Sequence, residues 1–169
     1  MVVRAVADLS GPLVVIGCGN LNRRDDGAGV AVIRRLQHVF AGGVPPGVRL
    51  FDAGTGGVDV MFQARGARVL VVVDACRSGS EPGAIFELPG SEIETPNEPR
   101  IPQHDFRWDH AIAAGRRIFG ASFPSDVTAI LVEAGALDFG LDLTAPVAAA
   151  VETVAARLAG RIRGSAEGG

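Results

Sequence analysis

Aromatic side chains are scarce, at 5% of the 169 residues with one Trp and no Tyr, so Val, Leu, Ile and Ala must fill the interior. Cysteine is scarce too: Cys18 and Cys76 make neither a CxxC pair nor a disulfide framework. They read as reduced, small apolar residues of an intracellular protein. No run of 18 apolar residues is present, which argues against a transmembrane helix. Met1–Ser10 carries Arg4 and Asp8 and lacks the apolar stretch of a signal peptide, so a cytoplasmic protein is expected. A formal net charge of -3 gives no electrostatic reason to expect nucleic acid or an anionic membrane as partner. Walker sequences, Gly-x-Ser-x-Gly elbows and internal repeats are missing as well.

The hydrophobic fraction of 47% in 169 residues fits a single globular domain. A domain near this size hides roughly 70% of the surface of its unfolded chain. Five segments read as strands: Leu13–Ile16, Val48–Phe51, Arg68–Val73, Ala84–Leu88 and Val127–Val132. The strongest is Val69-Leu70-Val71-Val72-Val73, which ends in Asp74. Ala84–Leu88 is short and stopped by Pro89-Gly90, as an edge strand would be. Helical periodicity runs from Asp26 to Phe40, Val58 to Ala64, Asp105 to Phe119 and Thr144 to Arg161. Thr144 is placed to cap the last helix, on which Val147, Val151, Val154, Ala155 and Leu158 form the apolar stripe. Met1–Pro12 and Gly164–Gly169 read as loose ends. Ser91–Gln103, polar and Pro-rich, reads as a long surface loop. Strands alternating with helices predict a twisted, mostly parallel five-stranded sheet covered on both faces, with one short edge strand.

The chain's chemistry concentrates in Val14–Val30, where an apolar strand leads through Gly17-Cys18-Gly19 to Asp25-Asp26 and a helix. A dinucleotide fingerprint would need a third glycine at Asn22, and two carboxylates occupy the place of a pyrophosphate. The stretch therefore points to cations. Asp26 opens the first helix and Asp74 closes the strongest strand; parallel strands end on one side of the sheet, where sites form. Each also has a simpler use, Asp25 as a helix cap and Asp74 or Asp52 as a turn residue. His38 lies off the apolar stripe of its helix. Extending the Trp108, Ala111/Ile112 and Gly115 stripe back one turn reaches His104, whereas His110 points outward. Two carboxylates and one imidazole from three separate loops suit a divalent cation with open positions. Buried thiols beside carboxylates are poor nucleophiles.

Gly17-Cys18-Gly19-Asn20-Leu21 followed by Asp25-Asp26-Gly27-Ala28-Gly29-Val30 resembles the opening signature of the hydrogenase maturation proteases. Asp52-Ala53-Gly54-Thr55-Gly56-Gly57, Val72-Val73-Asp74-Ala75, Glu81-Pro82-Gly83, His104 and Leu143-Thr144-Ala145-Pro146-Val147 agree in order and spacing. The resemblance implies a three-layer α/β/α sandwich. It implies an endopeptidase that removes a C-terminal peptide from the nickel-loaded large subunit of a [NiFe]-hydrogenase. The metal-contacting positions of the family fall on Asp26, Asp74 and His104, with Asp26 and Asp74 also the expected catalytic groups. The metal implied is the nickel carried by the substrate rather than a permanently bound ion. The partner implied is the nickel-loaded precursor; the sequence leaves the oligomeric state open, with a monomer the favoured expectation. Arg23 and Arg24, Ala53, and the charged run His104–His110 depart from the family pattern and bear on the choice of partner. Two rival readings remain: a protein that binds a nickel-containing precursor without cutting it, and a nucleotide-binding α/β protein.

Overall fold

A computed structural model of the protein describes residues 12–93 and 107–167. His104 and most of the Ser91–Gln103 segment lie outside the described residues. The strands are β1 (Leu13–Cys18), β2 (Val48–Gly54), β3 (Val69–Cys76), β4 (Ile85–Pro89) and β5 (Asp126–Glu133). The helices are α1 (Ala28–Val39), α2 (Gly57–Ala64), α3 (Gly90–Ile93), α4 (Arg107–Phe119) and α5 (Ala145–Glu167). A 3-10 turn, Arg24–Gly27, precedes α1.

The strands form one sheet in the order β2-β1-β3-β5-β4. β2, β1, β3 and β5 run parallel, and β4 pairs antiparallel with β5 at the edge. Central strands are apolar on both faces because helices cover both: every residue of β1 is buried, as are Val69–Asp74 of β3. Alternation sorts their side chains. Leu13, Val15, Val69, Val71 and Val73 pack with α1 and α5. Val14, Ile16, Leu70 and Val72 pack with α2 and α4. Each buried Val or Leu contributes roughly 1.5–3 kcal/mol, so these two layers hold the fold together.

Two glycines let α1 descend onto the sheet. A Cβ on Gly17 would strike the Gly29 carbonyl, and one on Gly29 would strike the carbonyls of Val73 and Cys18. The N-terminal end of α1 is thereby seated across the ends of β1 and β3, with Asp26 just before it.

Some boundaries differ from the sequence expectation. β1, β2 and β3 run two or three residues further, because pairing continues past the apolar runs. The stripe of α4 stops early: Ile118 is exposed and Phe119 half-buried. α5 continues through Gly164 to Glu167 rather than fraying, anchored by buried Ile162.

Candidate active site

The chain leaves β1 through α1 towards β2 and returns through α2 to β3 on the other side of β1. Outside the C-terminal ends of β1 and β3 the connections diverge, which is where an open α/β sheet forms a crevice. A cavity of about 210 Å³ lies there, lined by Cys18, Gly19, Asp26, Gly54, Asp74 and Trp108, with Thr55 and Gly57 at its side. Asp26 and Asp74, 48 positions apart in the chain, thus share one cavity.

Asp74 is in phase with Leu70 and Val72, so its side chain points to the face covered by α4. The indole N–H of Trp108 donates to Asp74 Oδ2 at 2.8 Å, and the Ala75 N–H donates to Oδ1 at 2.8 Å. Asp74 thus accepts a neighbouring backbone N–H, as a turn residue would, and also lines the cavity. Sequence analysis placed Trp108 on the buried stripe but missed its role. The usable signal was the need of a buried indole N–H for an acceptor.

Asp26 is half-buried, and its Oδ2 accepts the Asn20 N–H at 3.1 Å. That amide belongs to the glycine bend, where a phosphate would otherwise seek it. Gly19 sits at φ +131°, a conformation other residues rarely adopt. A carboxylate occupying the loop's donor turns the bend away from anions and removes the support for a nucleotide.

Asp25 faces the other way. It is fully buried, and the N-cap position of α1 is taken by Gly27 rather than by Asp25. Its carboxylate accepts the N–H groups of Gly135 (2.8 Å), Ala136 (2.8 Å) and Thr144 (2.7 Å), and the Thr144 hydroxyl (2.8 Å). Burial pushes its pKa up, but these bonds outweigh burial and hold the carboxyl below its ordinary value. Asp25 is a clamp for the chain between β5 and α5. The hydroxyl of Thr144, expected to cap α5, donates to it instead.

Glu133, which sequence analysis did not single out, does the same for the chain after β3. It is buried and accepts the Ser78 N–H, the Gly79 N–H, the Ser78 hydroxyl (2.7 Å) and the Cys76 thiol (3.3 Å). Burial raises its pKa, but the bonds from Ser78, Cys76 and Gly79 bring it below the usual carboxylate range. Asp52 is the turn residue expected, accepting the Gly54 N–H at 2.9 Å. His38 is exposed, and His110 points outward.

The cavity contains no ready nucleophile among its described residues. Burial, then the charges of Asp74 and Asp52, push the Cys18 thiol well above its ordinary value. Burial and the Glu133 bond push Cys76 up as well. The described residues hold no cluster of three or more His, Cys, Asp or Glu able to hold a metal. Asp26 and Asp74 therefore supply two hard oxygen donors, and a third ligand from this chain would have to come from elsewhere. The chemistry on offer is cation binding and proton transfer to or from water.

Fold and cavity define an α/β protein with a carboxylate-lined crevice at its switch point. A family model described as "Hydrogenase maturation protease" matches residues 30–161. The chain is 30% identical over 142 residues, 83% of its length, to the hydrogenase expression/formation protein HoxM of Azotobacter vinelandii, covering 67% of that protein. It is 25% identical over 154 residues to the hydrogenase 2 maturation protease of Escherichia coli, covering 90% of this chain and 92% of that one. The fold matches the E. coli maturating endopeptidase HybD (TM-score 0.71, 22% identity, 90% and 93% of the two chains). It also matches HycI of Thermococcus kodakarensis (TM-score 0.71, 21% identity, 89% and 92%). The chain belongs to the hydrogenase maturation protease family, and is an endopeptidase of hydrogenase maturation.

Proposed function

We propose that this endopeptidase removes a C-terminal peptide from the nickel-loaded precursor of a [NiFe]-hydrogenase large subunit. The observation that carries the reading is the convergence of Asp26 and Asp74 on one cavity that contains no activated thiol. Nickel is then part of the substrate. Asp26 and Asp74, with His104 as third ligand, tie the metal-bearing tail into the crevice. A cation held there polarises the scissile carbonyl or acidifies water bound to it. The alternative use of one of the two carboxylates, in place of a bond to the metal, is as general base that accepts the proton of the attacking water. Trp108 keeps Asp74 turned towards the crevice throughout. Two unpaired buried thiols favour a reducing compartment such as the cytoplasm as the place of work.

The test is incubation of the nickel-loaded precursor with the wild type and with Asp26→Asn, Asp74→Asn and His104→Ala, with the precursor's mass as readout. The wild type should release the peptide, and each variant should lose at least about a hundredfold in rate, as removal of a charge-stabilising group does. Undiminished cleavage by all three variants would end the assignment. Complex formation with no change in precursor mass would make the protein a binding module instead.

A further inference from the structure

Arg23 and Arg24, the departures in the opening signature, have a structural task. Arg24 adopts φ 45°, unusual for a residue with a Cβ. Its N–H donates to the Gly140 carbonyl at 2.9 Å, and the Gly140 N–H donates to the Asn22 carbonyl at 3.0 Å. Arg23 Nε donates to the Leu137 carbonyl at 3.1 Å, and Arg24 Nε to that of Asp142 at 3.3 Å. With the Asp25 clamp, these bonds pin the 135–143 segment from several directions. Yet the pinned segment displays Phe139 and Leu141 at 88% and 76% exposure. Chain fixed this firmly while two large apolar side chains face water is poorly explained by the protein's own stability.

Beside this ridge, between α1 and α5, runs a groove of about 450 Å³. Its apolar lining comes from Leu21, Ala31, Leu143 and Val151, with Leu141 of the ridge at its side. Its rim carries Arg24, Arg34, Arg35 and His38 beside Glu152; Arg24 is held by Asp138 at 3.6 Å. Glu152 is engaged by Arg35 at 2.9 Å, which leaves Arg34 without an ion-pair partner among the described residues. One segment joins the groove to the cavity: Leu21 and Arg24 line the groove, and Asp26 lines the cavity.

We propose that the Phe139–Leu141 ridge and this groove form the docking surface for the folded body of the precursor, reading an apolar patch with a carboxylate at its edge. The inference rests on the proposed function, in which the crevice takes only the metal-bearing tail. An aromatic side chain on a fixed backbone with arginine close by is the kind of group in which a specific protein interface concentrates its binding energy, and a backbone already fixed lowers the ordering cost. Arg34, the rim arginine without an ion-pair partner among the described residues, selects a carboxylate on the docked surface and favours encounter.

The experiment compares wild type, Phe139→Ala/Leu141→Ala, Arg34→Glu and Asp26→Asn on the nickel-loaded large-subunit precursor from the same organism. Urea unfolding confirms that the surface variants fold. Removal of the two anchors should raise Kd and KM by about tenfold or more with kcat unchanged at saturation, and Arg34→Glu should slow association. Asp26→Asn should still bind but not cut. Unchanged KM and Kd in the double variant overturn the docking surface. A wild type that binds without cutting defeats the proposed function, and the Kd of the double variant then decides the docking surface alone. A wild type that neither binds nor cuts defeats both. If the wild type dimerises and the double variant does not, the surface serves a second copy of the chain and the inference falls.

Discussion

At the scale of the residue, the candidate site depends on how Asp74 is held. A buried carboxylate with a free torsion would present either oxygen to the crevice. The Trp108 N–H fixes one oxygen and the Ala75 N–H the other. Trp108→Phe keeps an aromatic ring in the apolar layer and removes only the donor. Its expected effect is a fall in precursor cleavage of about 10–100-fold, the usual result of losing the group that orients a ligand. Stability should drop by about 1–3 kcal/mol, because a charged acceptor loses a buried partner. Retention of the full cleavage rate would show that the orientation of Asp74 does not depend on the indole. Asp74 was legible in the sequence because a strand end is a place the chain declares. Trp108 was legible as buried but not as a partner, since helical period gives a face and not the acceptor opposite it. Asp25 and Asp26 were hardest to separate. Neighbours in sequence, they diverge in space because a 3-10 turn sends one carboxylate to the crevice and the other into the interior.

At the scale of the element, close approach of α1 to the sheet brings Asp26 over β1 and β3. Gly17→Ala forces a Cβ into the Gly29 carbonyl and the Ile33 side chain, and backbone cannot step aside cheaply. The expected cost is about 2–4 kcal/mol in urea unfolding, accompanied by loss of cleavage as Asp26 moves. Gly164→Ala is the counterpart. Gly164 lies within α5 with open space where a Cβ would stand, so the substitution should stabilise by about 0.5–1 kcal/mol. A neutral or destabilising result there would mean that the last turns of α5 do not form in solution. Gly164 reads as the start of a frayed end because the last residues of a chain are commonly loose. What sequence punctuation omits is the anchor: Ile162 is fully buried and carries the helix past it. The edge strand was readable for the opposite reason, since Pro89 admits few other places in a sheet.

At the scale of the molecule, strand order could not be read from periodicity, which says that a strand is buried but not beside which neighbour. The parallel direction of β1, β3 and β5 puts the described loops that follow them at one end of the sheet, where each needs a tether. Asp25 ties the segment after β1 to the chain beyond β5, and Glu133 ties the end of β5 to the chain beyond β3. Both carboxyls sit below their ordinary pKa in the folded protein, as bonds from Thr144, Ala136 and Gly135 in one case and Ser78, Cys76 and Gly79 in the other overcome the opposing effect of burial. The unfolded chain, with carboxyl values of about 3.9 and 4.3, binds protons first as pH falls. Each group therefore adds stability that is fully present above those values and disappears as pH drops through the folded-state pKa. Each can contribute a slope of at most about 1.4 kcal/mol per pH unit. Urea unfolding from about pH 7 to 5 should show a nearly constant contribution from the pair, followed by a steep loss below about pH 4.5. Asp25→Asn/Glu133→Gln should be less stable at neutral pH and should lose less on acidification, with the two proteins converging towards the acid end. Equal slopes for wild type and double variant would place the acid sensitivity in other carboxylates, and would leave these two tethers as hydrogen-bond acceptors whose charge is immaterial.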